Sequence, residues 1–175
     1  MAQTTYSDVP GRGLAGQRAD SSGPGPVEAA VLEDDAVAFG TFVGQGTADD
    51  QALPLAATTD VLKGFFLLDQ TIPEEFRGAD TADGDGTVDE VGCSMSLARA
   101  GRVLARCEDG CSPGDPLFIR AVAAGDEVAG ACRAAADGAD CINASSWGTW
   151  RTTAAVGELA VLEFDMTGVA ADPLD

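Results

Sequence analysis

The feature that most constrains the fold is the division of the chain into short apolar runs separated by turn-forming residues. The runs recur at intervals of roughly 8–15 residues, and the segments between them are rich in Gly, Asp and Pro, which form turns and end strands. Many short strands joined by such turns are typical of β-sandwiches, jelly rolls and β-barrels. The sequence therefore predicts an all-β fold, with a β-sandwich or jelly-roll-like body or a β-barrel. The runs predicted to carry strands are Ala36–Val43, Leu53–Ala57, Val61–Leu68, Val88–Leu97, Arg102–Cys107, Leu117–Ala123, Glu127–Arg133, Ala139–Ile142, Trp147–Thr153 and Leu159–Met166.

Two of these runs show the alternation of a half-buried strand. In residues 117–122 and 159–164 the apolar side chains partly alternate with other residues at a period of two. The alanine-rich segment 129–136 has helical propensity. Because Gly130 and Gly138 lie within or close to this segment, a long helix is disfavoured there.

The first 26 residues differ from the rest in both charge and their content of turn-forming residues. Asp8 and Asp20 balance Arg12 and Arg18, so the whole net charge of −19 comes from residues 27–175. Closely spaced Gly and Pro residues prevent a helix from forming in this segment. We therefore predict an extended N-terminal arm over residues 1–26, suited to lying along another protein, and a single β-rich domain over residues 27–175.

Charge and composition exclude several classes of function. A sequence pI of about 4.1 argues against a nucleic-acid or anionic-membrane partner bound through a broad basic surface. The chain has no histidine, which removes the Ser-His-Asp and Cys-His nucleophile pairs, and we expect no enzymatic activity. The N-terminus lacks the pattern of a signal peptide, and no apolar run approaches the length of a membrane span. The single lysine, Lys63, is expected to snorkel at a strand edge.

Five cysteines, an odd number with no CxxC pair, favour buried free thiols. A zinc site is a weaker alternative, because histidine is absent and no two cysteines form a CxxC pair. A disulfide between Cys132 and Cys141 is a further alternative if the two face each other across a hairpin at Asp137-Gly138. We expect no bound cofactor. The cysteines are Cys93, Cys107, Cys111, Cys132 and Cys141.

The acidic segment 80–90 partly matches a calcium-binding loop. Aligned to an EF-hand, it places Thr81 at the first ligand position and Gly92 at the twelfth, so both the first ligand and the closing bidentate Glu are missing. A solvated hairpin tip is therefore favoured over weak divalent-cation binding. Adjacent acids such as Glu74 and Glu75 are likewise interpreted as solvated surface residues rather than a catalytic pair.

Three arginines and two tryptophans are candidates for a subunit interface. In so acidic a chain, Arg99, Arg102 and Arg106 are expected to pair locally with carboxylates, or to meet acidic groups on a partner. Trp147 and Trp150 would point to opposite faces of a strand, so that one could be exposed at an interface or could stack on a sugar.

Elements along most of the chain resemble, in the same order, the structural cement (decoration) proteins of tailed-bacteriophage heads. The segment 72–90 departs from the family pattern in being longer and more acidic, and cysteines in this number are unusual for the family. The resembling elements are Tyr6–Pro10, Gly16–Asp20, Ala38–Val43, Gly46–Asp50, Leu53–Pro54 with Asp60–Phe65, Gly114–Arg120, Gly130–Asp137 and Ala154–Phe164.

The resemblance implies a non-enzymatic structural protein of the virion, made in the host bacterial cytoplasm. It implies a β-rich body on the outer capsid surface, self-associated as a dimer or trimer, that binds the major capsid protein and stabilises the DNA-filled head. The alternative from another class is a carbohydrate-binding β-sandwich that uses calcium or a stacking tryptophan. The residues of the arm predicted to contact the capsid are Tyr6, Pro10, Arg12, Gln17, Arg18 and Asp20.

Overall fold

The described part of the chain is built from β-strands, which confirms the predicted fold class. The computed structural model describes residues 13–19, 25–34, 36–68, 87–88, 91–123, 125 and 127–168. These residues contain no helix, and hence none that is long and apolar enough to cross a membrane. The strands are β1 (Val27–Leu32), β2 (Val37–Ala38), β3 (Phe42–Gln45), β4 (Gln51–Leu53), β5 (Leu62–Phe66), β6 (Thr87–Val88), β7 (Ser94–Ala98), β8 (Ala100–Arg106), β9 (Phe118–Arg120), β10 (Cys132–Arg133), β11 (Cys141–Asn143), β12 (Gly148–Trp150) and β13 (Leu159–Asp165).

Five strands close into a barrel in the order β1-β4-β3-β5-β7. Closure depends on β1, which pairs with β7 in antiparallel fashion along its length and with β4 in parallel through Val31 and Leu32. One hydrophobic cluster, including Leu32, Phe66 and Leu97, is fully buried between these strands. Of the alternatives that the sequence left open, the structure therefore contains a barrel.

A three-stranded sheet, β12-β13-β8, packs against the barrel, and its outward face carries the candidate site described in the next subsection. The predicted alternation of β13 is present, with Ala160, Leu162 and Phe164 buried. The Phe164 ring lies 5.4 Å from that of Phe42 on β3, which ties the sheet to the barrel through a shared core. Two smaller sheets, β10-β9-β11 and β2-β6, complete the described part of the molecule.

Lys63 is buried, so the prediction that it would snorkel at a strand edge is wrong. The barrel gives β5 a neighbour on both sides, and Lys63 is only 2% exposed. Its Nζ donates hydrogen bonds to Gln45 Oε1 at 3.0 Å and to the carbonyl of Asp49, and lies 3.7 Å from the Glu28 carboxylate. These partners offset the cost of taking the ammonium out of water.

The cysteines are free thiols, and the alternative of a Cys132–Cys141 disulfide is wrong. Strand β9 lies between the two, because Ile119 pairs with Cys132 on one side and with Ile142 on the other. Two strand spacings amount to about 10 Å, beyond the Cα separation of about 7 Å that a disulfide can bridge. The favoured expectation of buried free thiols is confirmed for Cys107 and Cys111 as well as Cys132.

Two further predictions concern the alanine-rich segment 129–136 and the acidic segment 80–90. Of the segment 129–136, which has helical propensity, residues 129–130 form a turn and Cys132–Arg133 form β10. Of the acidic segment 80–90, the structure describes only Thr87–Val88, which pair as β6 with β2, and the rest lies outside the described residues.

Candidate functional site

The outward face of the β12-β13-β8 sheet brings together charged residues from all three strands or their ends. Because alternate residues of β13 point inward, Glu163 points outward. The strand register places it beside Arg102 on β8 and Thr149 on β12. Arg151 follows the end of β12 and reaches the same carboxylate.

We call Arg102, Glu163 and Arg151 the outer triad. The Nε of Arg102 donates to Glu163 Oε2 at 2.5 Å, and Arg151 makes a bidentate contact through Nε and Nη2 at 3.0 Å each. The hydrogen bonds from Arg151 and then from Arg102 lower the pKa of Glu163. The side chains of Arg102 and Arg151 are 49% and 47% exposed. The triad therefore holds two guanidinium groups in fixed positions at the surface.

A groove of about 670 Å³ runs beside the outer triad. Gly101 contributes open space to its lining, since nothing lies within 4 Å of the position that a Cβ would occupy there. Trp147 forms part of the wall, and its ring packs edge-on at 5.8 Å against Phe42 of the core. Ser145 and Ser146 add hydroxyl groups to the lining. The groove thus combines guanidinium and hydroxyl groups with the carboxylates of Glu163 and Asp165 and with one anchored aromatic ring.

Part of the predicted arm lies along the edge of this same sheet. The amide of Gly16 donates to the carbonyl of Leu104 at 2.9 Å, and the amide of Leu104 donates to the carbonyl of Gln17 at 2.7 Å. Arg18 pairs opposite Val103 of β8. Gly16 has a φ of 82°, and a Cβ there would lie 2.7 Å from the amide nitrogen of Leu68, so only glycine allows this close approach.

The structure therefore places two predicted capsid contacts, Gln17 and Arg18, beside the strand that carries Arg102. Residues 13–19 of the arm lie on the chain's own β8. The remaining predicted arm contacts, Tyr6, Pro10, Arg12 and Asp20, lie outside the described residues.

Three other candidate interface residues, Arg99, Arg106 and Trp150, make hydrogen bonds to backbone carbonyls within the chain. Arg99 and Arg106 each donate to a backbone carbonyl, that of Lys63 and that of Gly157, at 2.6 Å in both cases. Trp150 is fully buried, and its Nε1 donates to the carbonyl of Arg133 at 3.2 Å. Its ring therefore offers no exposed surface for stacking on a sugar.

A second charged cluster, which the sequence analysis did not single out, surrounds Arg120. This side chain is 1% exposed, and it contacts the carboxylates of Glu108 at 2.8 Å, Glu127 at 2.7 Å and Asp137 at 2.9 Å. Arg133 shares Glu108 at 2.9 Å. We call Arg120, Glu108 and Arg133 the inner triad.

The electrostatics of the cluster around Arg120 are set by its hydrogen bonds, which oppose the effect of burial. Burial alone would lower the pKa of Arg120, but the hydrogen bonds to Glu108 and Asp137 outweigh it, so the pKa is raised. The hydrogen bond from Arg120, and then the charge of Arg133, lower the pKa of Asp137. Because its cations and carboxylates satisfy one another, this cluster stabilises the loops that it joins.

The buried thiols are not part of a metal-binding group within the described part of the chain. Burial raises the pKa of the thiols of Cys107, Cys111 and Cys132, which keeps them protonated and unreactive at neutral pH. Among the described residues, no group of three or more His, Cys, Asp or Glu side chains is arranged to hold a metal ion.

Comparison with known proteins gives a family match for the sequence and a similar fold among solved structures. A family model described as "Structural cement protein (E217 gp24/Pam3 gp6)" matches residues 2–165. Among solved structures, a chain of "The capsid of Myoviridae Phage XM1" has a similar fold, with a TM-score of 0.58 and 15% sequence identity over 94% of each chain. No curated protein sequence matches. At this level of identity the structural likeness concerns the fold, whereas the family match covers nearly the whole chain.

Proposed function

This chain belongs to the structural cement protein family, and from that premise we propose that it binds the outside of a phage capsid and cements neighbouring major capsid protein subunits. A structural role in the capsid, and a place in the virion, follow from the family itself. The finer proposal adds the outer surface, the major capsid protein as partner, and stabilisation of the DNA-filled head. The observation that carries it is the match of the family model over residues 2–165.

The physical mechanism proposed is linkage between binding and assembly. A protein that binds only the assembled shell stabilises it by RT ln(1 + [L]/Kd), or about 2.7 kcal/mol per site when its concentration is a hundred times Kd. Many symmetric copies add these contributions and oppose the outward pressure of packaged DNA. Self-association as a dimer or trimer would increase the avidity of each bound unit.

The distribution of charge supports a particular orientation on the shell. The outer triad places two guanidinium groups on the outward face of one sheet, and the backbone of Arg18 pairs with the edge strand of that sheet, in a chain whose net charge is −19. We assign this sheet and the adjoining arm to the capsid side, and the acidic remainder to the solvent side. An acidic outward surface would repel other particles and free DNA.

The test uses capsids that lack the cement protein, mixed with the purified chain. Co-sedimentation measures binding, and release of packaged DNA on heating measures stabilisation. We expect saturable binding and a higher temperature of DNA release. A wild-type chain that neither binds such particles nor changes their heat resistance would contradict the proposal.

Two truncations separate the parts of the arm. A chain starting at Gly13 keeps the segment that pairs with β8 and loses Tyr6, Pro10 and Arg12, whereas a chain starting at Val27 loses the paired segment too. If the first truncation binds capsids as well as the full chain does, residues 1–12 are not a capsid contact. Thermal unfolding of both truncated proteins, measured without capsids, shows whether removal of the paired segment has destabilised the sheet.

A further inference from the structure

The geometry of the groove points to a specific ligand: an extended segment of the capsid protein that presents an Asp or Glu carboxylate to Arg151. This inference rests on the proposed function and deepens it, because it names the chemistry of the partner and the residue that recognises it. The argument has three parts, concerning the guanidinium group, the shape of the groove and the charge of the chain.

Arg151 is held in place while part of its hydrogen-bonding capacity remains available. A guanidinium carries five N–H donors in a rigid fork. Glu163 accepts one from Nε and one from Nη2, and the side chain is 47% exposed. The bidentate contact fixes the orientation of the fork in advance, so a second carboxylate can bind with little further loss of side-chain entropy.

The lining of the groove suits a chain segment better than a compact ion. Its lining includes Gly101, Trp147 and Asp165, and its volume is about 670 Å³. The open space at Gly101 allows a backbone to approach closely, and the hydroxyl groups of Ser145 and Ser146 can bond to peptide groups. Trp147 offers an aromatic wall whose orientation is fixed by its contact with Phe42.

Charge favours a carboxylate over the other anion that such a site could bind, a nucleic-acid phosphate. A chain with a net charge of −19 repels the dense charge of a duplex, and nucleic-acid binding relies on many cations that release counterions together. One or two guanidinium groups suffice for an isolated carboxylate on a protein surface, with which they form a planar, bidentate pair.

The experiment measures the affinity of variants for DNA-free capsids that lack the cement protein. We expect Arg151→Gln to weaken binding by about tenfold or more, the loss that accompanies removal of a charge-assisted hydrogen bond. Arg151→Lys keeps the charge but not the fork, and we expect it to lose most of the same affinity. Unfolding by urea should show that both variants remain folded, because Arg151 is half exposed.

A matched control separates local recognition from net charge. Val156→Glu makes the same change in formal charge at a side chain that is 72% exposed and lies outside the groove. Val156 precedes the N-terminal end of β13, whereas Glu163 lies near its C-terminal end. We expect it to change the affinity by less than about threefold, as is usual for an isolated exposed charge.

The outcomes separate this inference from the function on which it rests. Failure of the wild-type chain to bind capsids would overturn the proposed function. Normal binding by Arg151→Gln, full affinity of Arg151→Lys, or equal losses in Arg151→Gln and Val156→Glu would overturn the carboxylate site alone. Binding of a short DNA duplex by the wild-type chain that is lost in Arg151→Gln would also overturn it, in favour of phosphate.

Discussion

The inner and outer triads contain the same chemical groups, two arginines sharing one glutamate, in opposite surroundings. In the inner triad the three side chains are 1%, 16% and 13% exposed for Arg120, Glu108 and Arg133. In the outer triad Arg102, Glu163 and Arg151 are 49%, 33% and 47% exposed. An ion pair in water contributes little, whereas removing one partner of a buried pair leaves a charge that water no longer solvates. On this comparison we expect the inner triad to contribute to stability, and we propose the outer triad as the site of recognition.

The largest expected effect is at Arg120. Arg120→Met removes the cation shared by Glu108, Glu127 and Asp137, and should cost about 3–5 kcal/mol of the free energy of unfolding. Urea denaturation followed by tryptophan fluorescence measures the loss. The matched variant in the outer triad, Arg102→Met, should cost no more than about 1 kcal/mol. Equal losses in the two variants would remove the distinction between the triads.

A smaller effect is expected at the second arginine of each triad. Arg133→Gln breaks a mostly buried contact with Glu108 and should cost about 1.5–3 kcal/mol. Arg151→Gln breaks an exposed contact with Glu163 and should cost about 1 kcal/mol or less, while it weakens capsid binding. Parallel unfolding and co-sedimentation experiments measure both properties. The reverse pattern, with Arg133→Gln impairing binding and Arg151→Gln impairing stability, would invert the assignment.

The smallest expected effect is on the loss of stability at low pH. The pKa of Asp137 is lowered in the folded protein by the hydrogen bond from Arg120, so its contribution to stability is present above its unfolded pKa of about 4 and is lost as the pH falls through the folded value. Asp137→Asn should therefore lower the urea midpoint at pH 7 and reduce the difference between the midpoints at pH 7 and about pH 3.5.

Asp140→Asn is the control for the acid experiment, because it removes the same formal charge from an exposed side chain three positions away. It should leave the pH dependence close to that of the wild type. If both variants flatten the dependence equally, acid acts through the net charge of the chain rather than through the contact of Asp137 with the inner triad.

Much of the fold could be predicted because strand alternation and turn residues are local properties. Residues 159–164 partly alternate in sequence and fully alternate in burial in the sheet, and the turns contain glycines in conformations that other residues avoid. β1 was not among the predicted strands, although five of the six residues of Val27–Leu32 are apolar, and the strand buries only Ala30 and Leu32 fully. Its position is fixed by distant pairing, with β7 and β4, that sequence periodicity does not report.

The candidate site was predictable only in part, for a related reason. The arginine cluster in residues 99–106 was visible, but its members separate, since Arg102 faces solvent in the outer triad whereas Arg99 and Arg106 bond to backbone carbonyls. Glu163 and Arg151 are remote from Arg102 in sequence, and strand register alone brings them together.

One signal of the inner triad was present in the sequence. Arg120, Arg133 and Asp137 all fall in the two elements, 114–120 and 130–137, that resemble the cement protein family. In the structure Arg120 contacts Asp137, and Arg120 and Arg133 both contact Glu108. Gly130, which begins the second element, has a φ of 83°, and a Cβ there would lie 2.1 Å from the carbonyl oxygen of Phe42.

The burial of Lys63 has a practical consequence for chemical labelling of this protein. It is the only lysine in the chain, and its ammonium group is buried in the barrel among Glu28, Gln45 and Asp49. Amine-directed dyes and crosslinkers should therefore leave the folded side chain unmodified and react with the protein only at its α-amino group. On a capsid that the protein decorates as proposed, Lys63 would react with such reagents only after the protein unfolds.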